Sequence, residues 1–102
     1  MAKRVDANQK AIVVALRKIG CSVQHLHETG AGCPDLLVGI NGINILIECK
    51  DGKKPPSARK LTQAQSAWHE AWRGQSLIAY SPQEAVSTVQ RLRKQHLDQY
   101  DW

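Results

Sequence analysis

The chain has 102 residues, of which 42% are hydrophobic and 23% are charged, and it carries a formal net charge of +5. This length supplies one hydrophobic core and predicts a single domain over residues 1–102. Because no apolar run approaches the roughly 20 residues of a membrane span and no signal-peptide pattern is present, the sequence predicts a cytoplasmic protein without a membrane partner. The positive charge favours nucleic acid as the partner.

The cysteine pattern argues against a zinc or redox protein. Cys21, Cys33 and Cys49 lack the Cys-x-x-Cys spacing of such sites, and their odd number predicts free thiols in a reducing compartment. A cysteine nucleophile assisted by His25 or His27 is an alternative. Its support is the presence of these residue types, without a motif that links them.

The first elements in the chain are a helix and a strand. Apolar residues recur at helical spacing after Asp6, which predicts an amphipathic helix with Asp6 as its N-cap and Gly20 as its C-terminal stop. Loose alternation over residues 21–27 predicts a short strand. The glycine-rich stretch from Thr29 to Gly32 is either a plain connector or a phosphate-binding loop.

Residues 33–50 form an apolar hairpin with charges only at its open end. Asn41-Gly42 separates two runs rich in Ile, Leu and Val and predicts a two-residue type I′ turn. Counting outward from this turn places Asp35 directly opposite Glu48, and Lys50 shares their face because side chains alternate along a strand. Two carboxylates this close repel each other, so the geometry predicts a divalent-metal site. An ion-paired strand end, neutralised by Lys50, is the alternative.

A basic segment over residues 51–60 follows directly. It contains a Pro-Pro pair and therefore predicts an irregular loop. A solvated connector and a loop that binds DNA phosphates both fit this composition, and the position beside the acidic cluster supports the second. The candidate DNA-binding residues are Lys53, Lys54, Arg59 and Lys60.

The remaining segments predict helix, strand and helix. Thr62-Gln-Ala-Gln65 has the form of a capping box and begins a helix that extends to about Trp72. Trp68 and Trp72 share one face of it, which is typical of core residues, and stacking on unpaired bases is the alternative. A strand over residues 77–80 follows, and a second capping box at Ser81 begins the last helix.

This order of elements predicts an α/β fold in which helices cover both faces of a small mixed sheet built around the central hairpin. At the open end of the hairpin, Asp35 and Glu48 would hold Mg²⁺ or Mn²⁺, and the carbonyl of Cys49 would supply a further oxygen. Lys50 would orient or activate the attacking water, or neutralise charge on a phosphate. The sequence leaves these roles of Lys50 open.

Three stretches resemble a nuclease family. Pro34-Asp35, followed after twelve residues by Glu48-Cys49-Lys50, resembles the PD-(D/E)xK nuclease signature. Together with Gly32-Cys-Pro-Asp-Leu-Leu-Val-Gly39 and Leu61-Thr-Gln-Ala-Gln-Ser-Ala-Trp-His69, it is similar to the stand-alone VRR-NUC (virus-type replication-repair nuclease) domains of phages and prophages. The match covers about residues 6–72.

The resemblance implies a restriction-endonuclease-like core and a DNA nuclease that depends on a divalent metal. The implied ligands are Asp35, Glu48 and the Cys49 carbonyl, with Lys50 as a catalytic residue. The wider superfamily also places a supporting glutamine on the helix after the Glu-x-Lys strand, and Gln65 fits this position.

The first helix departs from the pattern, because Gln9 stands where the superfamily often has an acid. An amide can position a water but adds no charge to a metal. We therefore expect one strong metal site, with Gln9 as a catalytic-site residue that orients a water and Asp6 as a helix cap.

Similarity in organisation to archaeal Holliday-junction resolvases implies a homodimer, because symmetric cleavage of a four-way junction needs two sites related by a two-fold axis. The tail Tyr100-Asp-Trp102 is a candidate docking segment. We expect a structure-selective endonuclease of phage or prophage origin, acting in the bacterial cytoplasm. The alternatives are a nuclease for flaps, nicks or single strands, a catalytically inactive nucleic-acid-binding module, and a protein-interaction domain that is indifferent to DNA.

Overall fold

The computed structural model describes residues 6–26 and 28–99. The basic residues before Asp6, His27 and the predicted docking tail from Tyr100 lie outside the described residues. In chain order the elements are α1 (Ala7–Lys18), β1 (Ser22–His25), β2 (Leu36–Ile40), β3 (Ile43–Cys49), α2 (Pro56–Arg59), α3 (Gln63–Ala71), β4 (Ser76–Ala79) and α4 (Pro82–Asp98).

The four strands form one mixed sheet in the order β1-β2-β3-β4. The first two pairs are antiparallel and the third, between β3 and β4, is parallel. The parallel pair requires a crossover, which α2 and α3 supply. The predicted α/β class with a small mixed sheet is confirmed.

The central hairpin has the predicted turn and register. Asn41 and Gly42 have φ values of 48° and 83°, as a type I′ turn requires. The pairs extend from Ile40 with Ile43 at the turn to Leu36 with Ile47 at the open end. Asp35 and Glu48 therefore follow the last pair of the ladder.

Helices α1 and α4 contact each other and pack on one face of the sheet. The apolar side chains that the hairpin directs to this face form the hydrophobic core together with the two helices. Glu48 lies on the opposite face, because side chains alternate along β3. Fully buried side chains of the core are Ile12, Leu16, Leu36, Val38, Ile45, Ile47, Ala79, Ala85 and Val89. Burying each Val, Leu or Ile side chain contributes about 1.5–3 kcal/mol, so this layer fixes the position of β3.

Helix α3 contacts the opposite face through hydrogen bonds to Glu48 and Ser76. Helices therefore flank both faces of the sheet, as predicted. None of the nine residues of α3, all of which are described, is buried. The core interpretation of the tryptophans is wrong for this reason: Trp68 is half-buried and Trp72 is 47% exposed.

Local capping signals set the ends of the helices. The amide of Gln9 donates to the Asp6 carboxylate at 2.8 Å, and Gly20 follows α1 with a φ of +95°. Thr62 and Gln65 form the reciprocal capping box that the sequence predicts for α3. None of the helices in residues 6–26 and 28–99 is long and apolar enough to cross a membrane.

The basic segment is more regular than predicted. Pro56–Arg59 forms the single helical turn α2, with Pro56 at its first position. The expectation of a wholly irregular loop is wrong because proline lacks only an amide that the first helical turn leaves unpaired, and its fixed φ suits a helix.

Candidate active site

Three predicted site residues meet at the end of β3. Lys50 Nζ donates to Gln65 Oε1 at 2.8 Å, and Gln65 Nε2 donates to Glu48 Oε2 at 3.2 Å. Lys50 Nζ lies 3.9 Å from the same oxygen of Glu48. We call Glu48, Lys50 and Gln65 the β3–α3 cluster. Period-two alternation puts the first two on one face, and the first turn of α3 brings the glutamine against them.

Burial gives this cluster its electrostatic character. Glu48 is 2% exposed, and the side chain of Lys50 is 16% exposed. A buried carboxylate is costly unless charged or polar groups compensate it. Lys50 compensates Glu48 at ion-pair distance and bonds directly to Gln65. The glutamine therefore sets the position of the ammonium relative to the carboxylate.

Asp35 is attached to the same strand through the backbone. Its Oδ2 accepts the amide proton of Cys49 at 2.8 Å, in the place where the β2–β3 ladder has ended. A charge-assisted bond of this kind is stronger than one between neutral groups. Asp35 is thereby fixed beside the peptide that joins Glu48 to Cys49.

Two of the thiols, Cys33 and Cys49, lie close enough to both carboxylates to be affected by their charge. Burial raises the pKa of Cys33 and of Cys49, and the negative charges of Asp35 and Glu48 raise both pKa values further. A thiol with a raised pKa is a poor nucleophile because little thiolate forms near neutral pH. The raised pKa values argue against the cysteine-nucleophile alternative, and Cys21, Cys33 and Cys49 are free thiols as predicted.

Asp35 and Gln65 line one cavity of about 300 Å³, together with Cys33, Thr62, Ala64 and the glycine-rich loop. In that loop Gly32 has a φ of +80°, and a Cβ placed on it would overlap the carbonyl oxygen of Ala64. Backbone therefore packs on backbone here. The loop acts as a connector that holds α3 beside Asp35.

Of the three predicted metal ligands, Asp35 lines this cavity, whereas Glu48 and Cys49 are buried beside it and are not part of its lining. Within residues 6–26 and 28–99, no three His, Cys, Asp or Glu side chains come together as a metal-binding group. The available donors are the carboxylates of Asp35 and Glu48 and the carbonyl of Cys49. Mg²⁺ is commonly held by one or two carboxylates and keeps several waters, so this donor set suits it without a third side chain.

Gln9 belongs to α1, which packs on the face of the sheet opposite to the one that α3 contacts. It is buried, and its Nε2 lies 3.4 Å from His25 Nδ1. The residue after His25 is Leu26, whose amide donates to the Asp35 carbonyl at 2.8 Å. The contact between Gln9 and His25 has no signal in the sequence, because no local pattern links a helix to a strand residue sixteen positions away.

Asn8 is a second residue that the sequence analysis missed. Its side-chain amide donates to the Lys50 carbonyl at 2.7 Å, across 42 positions of sequence. This bond ties the start of α1 to the end of β3. It fixes the backbone of Lys50, as Gln65 fixes its side chain.

The basic segment, residues 51–60, begins directly after Lys50. Lys53 and Arg59 line a cavity of about 640 Å³ that also borders Asn8, Asp51 and Tyr80. Arg59 Nη1 donates to the Gly52 carbonyl at 3.1 Å, which anchors the guanidinium. Lys60 lines a neighbouring cavity with Arg59, and Lys54 is exposed. Two of the four predicted DNA-binding residues thus share a cavity wall with Asn8, which holds Lys50.

Comparison of the chain with protein-family models, with curated proteins and with solved structures finds no match. The VRR-NUC resemblance therefore stays a prediction based on its motifs.

Proposed function

We propose that this protein is a divalent-metal-dependent DNA endonuclease that hydrolyses phosphodiester bonds. One observation carries the proposal: Asp35, bonded to the Cys49 amide, lies beside a buried Glu48 whose Lys50 and Gln65 partners converge on it. A purely structural ion pair between Glu48 and Lys50 would not need a second carboxylate, that of Asp35, beside it. A site for a cation and an anionic substrate explains the combination of two acids and one lysine.

Each residue has a role in this mechanism. Mg²⁺ or Mn²⁺ on Asp35, Glu48 and the Cys49 carbonyl would supply positive charge to the phosphate and lower the pKa of a bound water. Lys50 has three protons, so it donates to a phosphate oxygen while Gln65 holds it. This contact neutralises negative charge that develops in the transition state.

The other predicted residues serve binding and positioning. Lys53, Lys54, Arg59 and Lys60 bind backbone phosphates on the side of the site where Asn8 holds Lys50. Gln9, which contacts His25 next to the strand end at Asp35, orients a water. We propose branched DNA, and four-way junctions in particular, as the substrate of a homodimer, because two sites related by a two-fold axis cut such junctions symmetrically.

The test uses end-labelled four-way junction, flap, nicked, single-stranded and duplex DNA with Mg²⁺, Mn²⁺ or EDTA. We expect metal-dependent cutting with preference for the junction. Asp35→Asn and Lys50→Ala should each reduce cleavage about 100-fold or more, while DNA affinity stays within a few-fold. Lys53→Ala is the matched control, since it should weaken binding of all DNAs and reduce the salt slope by about 1.

Three results would contradict parts of this proposal. Equal cutting of every substrate would refute junction selectivity. Binding with ordinary salt dependence but no cutting by the wild-type protein would identify a binding module. Failure to bind any DNA would favour a protein-interaction domain.

A further inference from the structure

Trp68 and Trp72 form a stacked pair on the surface of α3. Their ring centroids are 4.7 Å apart and their planes differ by 15°. Trp68 also meets His69 edge to face, with centroids 5.3 Å apart. Trp68 therefore contacts two rings, whereas the ring contact shown for Trp72 is the one with Trp68.

Trp72 remains partly exposed although it is stacked on Trp68. One face of the indole is covered by Trp68, and the edge that carries Nε1 lies against Gly74, where a Cβ would be 2.9 Å away. Trp72 is nevertheless 47% exposed. The stack with Trp68 thus holds a partly exposed indole in a fixed orientation.

Helix geometry places this indole on the same side as the candidate active site. At 100° per residue, Trp68 and Trp72 lie about 60° and 20° from Gln65 around the helix axis. The rise of 1.5 Å per residue puts Trp72 about 10 Å from Gln65 along the helix. Glu70 lies about 140° from Gln65, on the other side, so the acid of α3 is directed away from the aromatic face.

We propose that the exposed indole of Trp72 stacks on an unpaired base of the DNA substrate. This inference rests on the proposed function, since it takes DNA as the ligand of the neighbouring site. Every base has a π-face, but a base inside a duplex already stacks on both neighbours. Only an unpaired nucleotide presents a free face. The distance of about 10 Å corresponds to about three nucleotides at the 3.4 Å spacing of stacked bases.

This contact narrows the substrate class. The DNA must contain single-stranded character within about three nucleotides of the bond that is cut, as at an opened junction, a flap or a gap. Arg73, which follows Trp72 and is exposed, supplies a positive charge for the phosphate backbone there.

The experiment is a fluorescence titration in EDTA, which separates binding from cleavage. Trp102 lies outside the described residues, and changing it to Phe leaves Trp68 and Trp72 as the only tryptophans. We expect oligothymidylate to quench this emission and a blunt duplex of equal length to quench it far less. Trp72→Ala should weaken single-strand binding about five-fold or more, and duplex binding less than two-fold.

Two controls test the nature of the contact. Leu97→Ala removes an apolar side chain with the same 47% exposure from α4, which packs on the other face of the sheet, and should change neither affinity. Trp72→Phe should restore most of the affinity and Trp72→Leu should not, because stacking needs a ring. The salt slope should stay constant throughout, since no charge changes.

The proposal is overturned if Trp72→Ala weakens single-strand and duplex binding equally, or if Trp72→Leu binds as well as Trp72→Phe. It is also overturned if Trp72→Ala converts a dimer to a monomer in sedimentation, because a second copy then covers the ring. Quenching by oligothymidylate without metal-dependent cleavage would refute the proposed nuclease alone. Intact cleavage with unchanged single-strand binding by Trp72→Ala would refute only the stacking contact.

Discussion

Replacing Gln65 with Ala tests the β3–α3 cluster most directly. Gln65 has two roles: Oε1 accepts from the Thr62 amide at 2.9 Å to complete the capping box, and both ends of its amide bridge Lys50 and Glu48. Loss of the exposed cap costs about 0.5–1 kcal/mol. Loss of a donor to a carboxylate that is 2% exposed costs about 1.5–3 kcal/mol more.

The expected total for Gln65→Ala is about 3 kcal/mol in the free energy of unfolding. For a domain of this size that corresponds to a fall of about 12 °C in the melting temperature. Urea denaturation followed by far-ultraviolet circular dichroism gives the free energy by linear extrapolation.

Thr62→Ala is the matched control for the capping role. It removes the hydroxyl that accepts from the Gln65 amide at 3.2 Å and leaves the bridge to Lys50 and Glu48 in place. We expect it to cost about 1 kcal/mol. If the two variants were destabilised equally, Gln65 would act only as a helix cap, and the reasoning that it positions Lys50 would be refuted.

Three further predictions concern packing, protonation and metal. Gly32→Ala should lower the free energy of unfolding by more than about 3 kcal/mol, because its Cβ would overlap the Ala64 carbonyl. Gly30→Ala is the control: Gly30 also has a positive φ, +76°, but no described atom lies within 4 Å of its Cβ, so the cost should be about 1 kcal/mol. Equal costs would contradict the close packing at Gly32. Burial lowers the pKa of His69, so the unfolded chain takes up a proton first on acidification and stability should fall as the pH drops below about 6.5. His69→Gln should reduce this slope in urea titrations between pH 6.5 and 5, and an unchanged slope would contradict the assignment. Mg²⁺ or Mn²⁺ at ten times its dissociation constant should stabilise the protein by about 1.4 kcal/mol, which raises the melting temperature by about 6 °C. Asp35→Asn should abolish this increase. An unchanged melting temperature of the wild-type protein at millimolar metal would count against the metal site.

Features that depend on neighbouring residues could be predicted from the sequence. The Asn41-Gly42 turn requires positive φ at both positions, and that requirement alone fixed the register that brings Asp35 beside Glu48. The cap at Asp6 and the capping box at Thr62 were found for the same reason. In both caps a side chain bonds to a backbone group three residues away.

Features that depend on distant residues could not be predicted in this way. Helical spacing puts Trp68 and Trp72 on one face, but it does not say whether another element covers that face. The contacts of Gln9 with His25 and of Asn8 with Lys50 join the start of α1 to two different strands. They follow from how α1 packs on the sheet, and no pattern within α1 reports them.

The turn at Asn41 and Gly42 has a practical consequence. Both residues are exposed, and Asn41 lies six positions from Asp35, or about 20 Å at the rise of a strand. β-Hairpins also accept loops of four or five residues, so this turn can be lengthened to carry a fluorophore or a surface tether. A molecule immobilised there would leave the open end of the hairpin, with Asp35 and Lys50, directed towards DNA in solution, which suits single-molecule measurements of binding and cleavage.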